Sequence, residues 1–415
     1  MLSALPSRRR AVLRHPQARH APRPDIDPHK LPGATRLPHI CFVAPEAWPA
    51  FSGDERTAVI GGAEVQQSIL ARLLARAGYR VSMICLDYGQ PPRIEIDGVE
   101  IVRACKPDAG IPVVRFLHPR LSSMWRAMQA VDADVYYQRS PAALTAFVAA
   151  FCRRHDKRSI YAGASDTDFV PGAQFIRFRR DRWLFERGLA AVDAVVVQNE
   201  TQQHDCREHY GRHSTLIPSC YELPVDARPT SGDCVLWVAT VRPDKRPDIL
   251  LELARRLPHR RFVVIGGPGI EAGARDYYDA IRSSAAHLPN VELLGFQPLA
   301  RTEPWFDRAR VFVSTSSGEG MPNVFLQAWA RGVPTVAFLD IGAHLHGKPI
   351  YPVVASPAEA SAEIERLCAD DIERGRVGAR CREYFAARHS GAEALSRYRA
   401  VLDELVARKS RAAGR

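Results

Sequence analysis

Short, wholly apolar segments alternate with amphipathic stretches of helix length along nearly the whole chain, and the alternation stops once and then restarts. This feature constrains the fold most. A strand that is apolar at every position must be covered on both faces, and helices inserted between successive strands supply that cover, so the pattern calls for parallel sheets in an α/β fold. In the first run, strands are expected at 39–45, 80–86, 99–104, 134–140, 158–163, 194–199 and 214–218. Helices fall near 63–77, 117–130, from Pro141, 172–190 and 200–210. Residues 220–233 (CYELPVDARPTSGD) concentrate Pro, Asp, Ser and Gly and read as a linker. The second run has strands at 234–240, 261–267, 291–296, 310–315, 334–338 and 349–354. Its helices fall at 247–257, 274–287, 302–307, 322–331, 357–369, 372–387 and 391–410. Two doubly wound, Rossmann-like halves of similar size follow, facing a central cleft, and ligands of such sheets bind beyond the C-terminal ends of the strands.

A chain of 415 residues is comfortable for two domains. The expected divisions are a basic, proline-rich disordered tail at 1–36, an N-terminal domain at 37–220 and a C-terminal domain at 221–388. A last helix with a basic tail, 389–415, is expected to pack back on the N-terminal domain. The net charge is 57 − 46 = +11, but residues 1–40 carry seven Arg, one Lys and two Asp, and residues 406–415 carry three Arg and one Lys. The tails therefore hold 6 + 4 = +10, and the body is nearly neutral. A nucleic-acid enzyme carries its basic surface on the folded body, so that class is excluded. Solvated tails are the expectation, with contact to an anionic membrane as the alternative. The longest nearly apolar stretch, 142–152, falls well short of the ~20 residues of a spanning helix. The N-terminus shows no apolar core of a secretory signal. The nine cysteines include no C-x-x-C pair, which suits a reducing cytosol and supplies no zinc site. No feature of the sequence sets an oligomeric state.

Four loops at strand ends carry the candidate chemistry. The richest is 314–334, STSSGEGMPNVFLQAWARGVP. A strand ends in hydroxyl residues that include Ser316, an acid (Glu319) follows, and Gly320 permits close backbone approach. Met321 and Pro322 lead into a helix whose first free N–H groups, at Asn323 and Val324, suit an anion such as a diphosphate. An acid beside that anion site is better used to accept hydrogen bonds from hydroxyls, as on a sugar. Gln327 lies eight residues beyond Glu319. A buried structural Glu with a surface Gln is the competing reading. The second loop, 238–247, brings Arg242, Lys245 and Arg246 behind a strand, where fixed positive charge can neutralise a leaving diphosphate; a solvated charged turn is the alternative. The third, Gly266-Gly267-Pro268-Gly269, resembles a nucleotide loop without a full G-x-G-x-x-G. The fourth, Gly61-Gly62-Ala63-Glu64, opens the first long helix and can offer N–H groups to a phosphate or an acceptor.

Taken together, these loops resemble family 4 glycosyltransferases of the GT-B fold over about residues 38–405. The resemblance is carried by GGAE (61–64), the Lys245 loop, VVIGGPG (263–269), VELLGF (291–296) and EGMPNVFLQAWARGVPTV (319–336). It implies retaining transfer of a sugar from a nucleotide-sugar donor to a glycan, lipid-linked or small-molecule acceptor, in cell-surface polysaccharide or glycoconjugate biosynthesis. No cofactor and no metal are expected; the cysteine pattern and the N-terminus place the enzyme in the cytoplasm, with peripheral contact at the inner membrane face as the alternative to solvated tails. By the same resemblance Glu319 takes donor-sugar hydroxyls, residues Gly320 to Val324 hold sugar and phosphate, Lys245 meets the diphosphate and Phe296 marks the nucleobase loop. The position that in the family holds a ribose-binding acid is Gln327. The arginine usually five residues before the lysine falls on Thr240, with Arg242 as its substitute. Where the family often has a His-Asp pair, the chain reads Ser165-Asp166, with Asp168 nearby, and Asp166 is the candidate there. A non-catalytic or differently acting relative, such as a sugar-nucleotide epimerase or a nucleotide-sugar binding protein, is the competing function.

Overall fold

The computed structural model describes residues 37–52, 61–110, 116–224, 227, 232–318 and 320–413. The expected tail at 1–36 and the candidate Glu319 lie outside the described residues.

The first half is built on strands β1 (Ile40–Val43), β2 (Val81–Cys85), β3 (Arg93–Ile96), β4 (Val99–Arg103), β5 (Val135–Arg139), β6 (Arg158–Ala162), β7 (Ala194–Val197) and β8 (Thr215–Leu216). They form one sheet in the order β3-β4-β2-β1-β5-β6-β7-β8, parallel except for the β3–β4 pair. Helices α1 (Trp48–Ser52), α2 (Gly62–Arg76), α3 (Ser122–Val131), α4 (Leu144–Arg154), α5 (Arg179–Ala191) and α6 (Glu200–Tyr210) connect them. Alternate residues of β1 show why the strands are apolar throughout. Ile40 and Phe42 pack with Leu70, Leu73 and Leu74 of α2, whereas Cys41 and Val43 pack with Met124, Val148 and Phe151 of α3 and α4.

The second half has β9 (Cys234–Val238), β10 (Phe262–Ile265), β11 (Val291–Gly295), β12 (Ala309–Ser314) and β13 (Thr335–Ala337), all parallel, in the order β11-β10-β9-β12-β13. Around it lie α7 (Pro247–Arg256), α8 (Ala274–Ala286), α9 (Leu299–Arg308), α10 (Asn323–Ala330), α11 (Pro357–Ala369) and α12 (Asp371–Arg388). Phe325 and Trp329 of α10 stack into Phe312, Tyr351 and Tyr384, which seats α10 rigidly on the sheet. Helix α13 (Gly391–Ala413) returns to the first half: Ala394, Val401, Leu402 and Leu405 join the core of β1 and α2, and the Tyr398 hydroxyl lies 3.3 Å from that of Tyr137. The chain passes between the halves at 219–222 and again at 389–391. These crossings are bound together by Tyr221 N–H to the His389 carbonyl (3.0 Å) and by His389 Nδ1 against the Ser219 carbonyl (2.7 Å). Burial holds His389 down at about 4, so it is neutral at pH 7 and its Nδ1 must carry the proton it donates.

Three expectations are corrected. Strand β3 is missing from the sequence reading, although Asp97-Gly98, both at positive φ, closes a hairpin onto β4 with the strongest short turn signal. The expected strand at 349–354 is broken up: Pro349 ends a two-residue strand, Lys348–Pro349, paired antiparallel with His344–Leu345, and Val353 makes only a bridge to Ala337, because Pro349 and Pro352 have no N–H to donate to a longer ladder. The helix expected from 172 begins at Arg179, after a turn-rich segment that starts at Pro171-Gly172.

Candidate active site

In each sheet the strand order reverses at one place, between β1 and β5 and between β9 and β12, and a crevice opens beyond the strand ends there. The loops after β9 and β12 are laced together at that point. Thr315 Oγ1 donates to the Lys245 carbonyl (2.6 Å), and Ser317 donates to the Asp244 carbonyl from its N–H (2.9 Å) and its hydroxyl (3.1 Å). Trp237 Nε1 donates to Thr315 Oγ1 from beneath (3.0 Å). The cationic loop is therefore fixed to the segment that leads into α10. Thr315 and Ser316 are both buried.

Arg242 and Lys245 share one acid that the sequence reading did not single out. Asp244 accepts two hydrogen bonds from Arg242, at 3.1 and 2.9 Å, and its Oδ2 lies 3.4 Å from Lys245 Nζ. Glu271 accepts a further bond from Arg242 at 3.3 Å. Burial raises the Asp244 carboxyl, but the Arg242 hydrogen bond and the Lys245 and Arg242 charges outweigh it, and the group sits below its ordinary value. Its place between two cations in the motif was the available signal. The Lys245 side chain is largely sheltered, at 12% exposure.

The two glycines of the third loop answer first to packing. A Cβ on Gly266 would stand 1.8 Å from the Ala239 carbonyl oxygen, and one on Gly267 would stand 2.9 Å from the Phe296 Cβ. Only glycine lets the ends of β9, β10 and β11 close on one another here. Phe296 lines a cavity of about 640 Å³ with Val65, Ile69, Tyr221 and Glu303, so both halves contribute to it. A second cavity, of about 790 Å³, lies between Phe175 of the first half and Arg242, Asp244, Glu271 and Tyr277 of the second.

The N-termini of α2 and α10 meet across the cleft. Asn323 Nδ2 donates to the Gly62 carbonyl (3.2 Å), and Gln66 Nε2 donates to Asn323 Oδ1 (2.8 Å). The Gln66 amide also pairs with Cys220, accepting from its N–H (3.0 Å) and donating to its carbonyl (2.8 Å). Gln66 left no mark in the sequence, since its partners lie 154 and 257 residues away. Glu64 folds back over Gly61, where a Cβ would strike its carboxylate, and burial raises the Glu64 carboxyl above its ordinary value. Met321 and Val324 are half-buried against the second core, and a Cβ on Gly320 would meet no described atom within 4 Å.

Gln327 sits in a polar knot. It is 4% exposed, and its Nε2 donates to Glu303 Oε1 at 2.9 Å. The other carboxylate oxygen accepts from Arg331 (2.7 Å) and from the Tyr221 hydroxyl (2.6 Å), and Arg331 also reaches Asp307 (2.7 Å). The alternative of a surface glutamine is overturned, because α9 and the crossing at Tyr221 close over this face of α10. An acid does stand at this place, but it is supplied by Glu303 of α9.

On the first half, Asp166 accepts hydrogen bonds from Asn199 Nδ2 and Gln202 Nε2, both at 2.9 Å, which tie it to the start of α6. Asp168 is the buried acid of this loop. It accepts from the Ala164 N–H (2.7 Å) and the Tyr161 hydroxyl (3.1 Å), while its Oδ1 has no hydrogen-bond partner. Burial pushes its carboxyl up to about 6 against those hydrogen bonds and the nearby Arg139 charge.

Comparison with known proteins places this arrangement. The model of "Glycosyltransferase Family 4" matches residues 60–223, and that of "Glycosyl transferases group 1" matches residues 232–370. The chain belongs to the group 1, family 4 glycosyltransferases. It is similar to an exopolysaccharide phosphotransferase of Streptomyces coelicolor, at 25% identity over 309 residues (69% of this chain, 30% of that protein). It is also similar to a D-inositol 3-phosphate glycosyltransferase of Frankia alni, at 38% over 117 residues (26% of this chain, 28% of that protein). The matched stretches thus span less than a third of either relative's length. In fold it is similar to a sucrose-phosphate synthase of Thermosynechococcus elongatus, with a TM-score of 0.70 at 19% identity, covering 89% of this chain and 100% of that one.

In this family 4 glycosyltransferase the structure brings together Gly62, Asn323 and, through the laced loops, Arg242, Lys245 and Ser316. Gly266, Gly267 and Phe296 line up on the neighbouring strand ends. Asp166 bonds within the first half, and Gln327 faces Glu303.

Proposed function

We propose that the protein transfers a sugar, with retention of anomeric configuration, from a nucleotide-sugar donor to a glycan, lipid-linked or small-molecule acceptor. The product belongs to cell-surface polysaccharide or glycoconjugate biosynthesis, and the work is done in the cytoplasm at the inner membrane face. The observation that carries this reading is the lacing of the Lys245 loop to the segment entering α10, at the point where Asn323 of α10 meets Gly62 and Gln66 of the other half. Cations, a helix N-terminus and the opposite domain converge on one crevice. That is the requirement for holding a diphosphate between two halves while its bond to a sugar breaks.

In this reading the donor diphosphate lies against Lys245 and the N–H groups that open α10, and its oxygens take over from Asp244 at Arg242. The bond between the anomeric carbon and the phosphate oxygen breaks, and the acceptor oxygen bonds to the same face of that carbon. The acceptor proton passes to the departing phosphate, so no protein base is needed and a nucleoside diphosphate leaves. Lys245 and Arg242 supply the charge neutralisation that a divalent metal gives elsewhere, and the transfer is metal-independent.

Lys245→Ala tests the reading. Calorimetry with UDP, GDP and ADP on the wild type identifies the nucleoside diphosphate that binds. The variant is expected to bind it more weakly and to transfer at least about 10²-fold more slowly, the scale of one lost electrostatic stabiliser. Unchanged affinity and rate would remove this loop from the phosphate site.

A further inference from the structure

We propose that the segment Phe175–Arg187, at the mouth of the cleft, docks the protein on an anionic lipid bilayer. No other phenylalanine or tryptophan among the described residues is as exposed as the three in this segment: Phe175 is 84% exposed, Phe178 55% and Trp183 54%. Around them stand Arg177, Arg179, Arg180, Arg182 and Arg187, against only Asp181 and Glu186. The helix that carries most of them is anchored from behind. Phe185 and Leu189 of α5 are buried on Tyr161 and Ala149, and Gly188 lies against the α4 backbone, where a Cβ would stand 2.4 Å from the Ala146 nitrogen. With that face committed, Arg179, Trp183 and Arg187, spaced four apart, form one outward stripe. The Arg187 guanidinium lies 5.2 Å from the Trp183 ring centre, and that of Arg177 lies 5.3 Å from Phe178.

A helix with one face packed on its protein and the other carrying aromatics among arginines matches the headgroup layer of a bilayer, where aromatic rings sit at the apolar boundary and guanidinium groups pair with lipid phosphates. The aromatics decide between partners. A soluble polyanion would satisfy the arginines but leave the rings in water, whereas a bilayer takes both. The surface is continuous with the cleft, because Phe175 also lines the 790 Å³ cavity beside Arg242 and Tyr277. Docking through this face therefore turns the cleft mouth toward the membrane, where an amphiphilic acceptor enters along Phe175. That consequence rests on the glycosyl-transfer reading; the docking face does not.

Co-sedimentation of the full chain with vesicles of phosphatidylcholine, alone or with one-third phosphatidylglycerol, tests the proposal. Binding is expected only to the anionic vesicles, and Phe178→Ser with Trp183→Ser is expected to lower the partition coefficient at least tenfold. That double variant should keep the wild-type melting temperature, and turnover of a soluble acceptor should not change. Brominated acyl chains should quench tryptophan emission in the wild type, and Trp183→Phe should remove most of that quenching. Equal partition of the double variant and the wild type, or equal quenching with and without Trp183, would assign the binding to the basic tails and overturn the proposal. Loss of partition to vesicles with equal loss of binding to heparin would make the face a polyanion site and overturn it as well. The expected vesicle results in a protein that binds no nucleoside diphosphate would support the docking face while sinking the glycosyl-transfer reading.

Discussion

Gln327→Glu restores an acid at the position where the family resemblance calls for one, and the structure predicts that it destabilises the protein. The new carboxylate oxygen would replace the amide nitrogen that now donates to Glu303 at 2.9 Å. Two unit charges at that distance repel by about 6 kcal/mol at an effective dielectric near 20. The pair has a cheaper escape, which is to share a proton. Holding a carboxyl of ordinary pKa about 4.3 protonated costs about 4 kcal/mol at pH 7 and about 1.6 kcal/mol at pH 5.5. Arg331, already 2.7 Å from Glu303, offsets part of either figure, so the pH 7 value is an upper bound. The sign follows from linkage. The folded variant binds a proton that the unfolded chain does not, so its stability is full below about pH 4 and falls as pH rises through the raised folded value. Urea unfolding at pH 7 and pH 5.5 measures this. The variant should lose about 2–4 kcal/mol against wild type at pH 7 and recover about 2 kcal/mol of the deficit at pH 5.5. A variant as stable as wild type at both pH values would show that the amide does not donate to Glu303, and Gln327 would then be free to face a donor ribose.

Three further outcomes are expected. Glu319→Ala should abolish transfer, as the family resemblance implies for an acid that takes donor-sugar hydroxyls; wild-type turnover would refute that role. Asp168→Asn should flatten the pH dependence of stability. The wild-type carboxyl, raised to about 6, favours folding below about pH 4 and loses that contribution as pH rises through 6, worth about 2–3 kcal/mol, whereas an amide does not titrate. Parallel wild-type and variant curves from pH 4 to 7 would refute the shift. Transfer should survive dialysis against EDTA with the same kcat, and a loss restored by a divalent ion would refute the metal-independent reading.

The alternation of apolar and amphipathic segments determined by itself that there are two parallel sheets, and with them the loops that form the crevice. Covering both faces of an apolar strand is a local requirement, written residue by residue. The glycines and cations of the strand-end loops are likewise legible, because their spacing is set by one turn between a strand and a helix. Asp244 was legible too, lying between its two partners in the same loop. The tertiary structure alone decided where side chains from distant segments meet. Gln327 reads as an altered ribose contact until α9 brings Glu303 against it, and the neighbouring acid gives a physical reason for an amide there. The clasp of Gln66, Asn323 and Gly62 joins residues more than 250 positions apart, so no local pattern could announce it. Asp166 and Asp168 look alike in sequence, two residues apart in one polar loop; the short helical turn of 166–169 gives one to the start of α6 and buries the other against Tyr161. Hydrogen bonds over such separations depend on how helices pack on the sheet, and that packing is a property of the whole core.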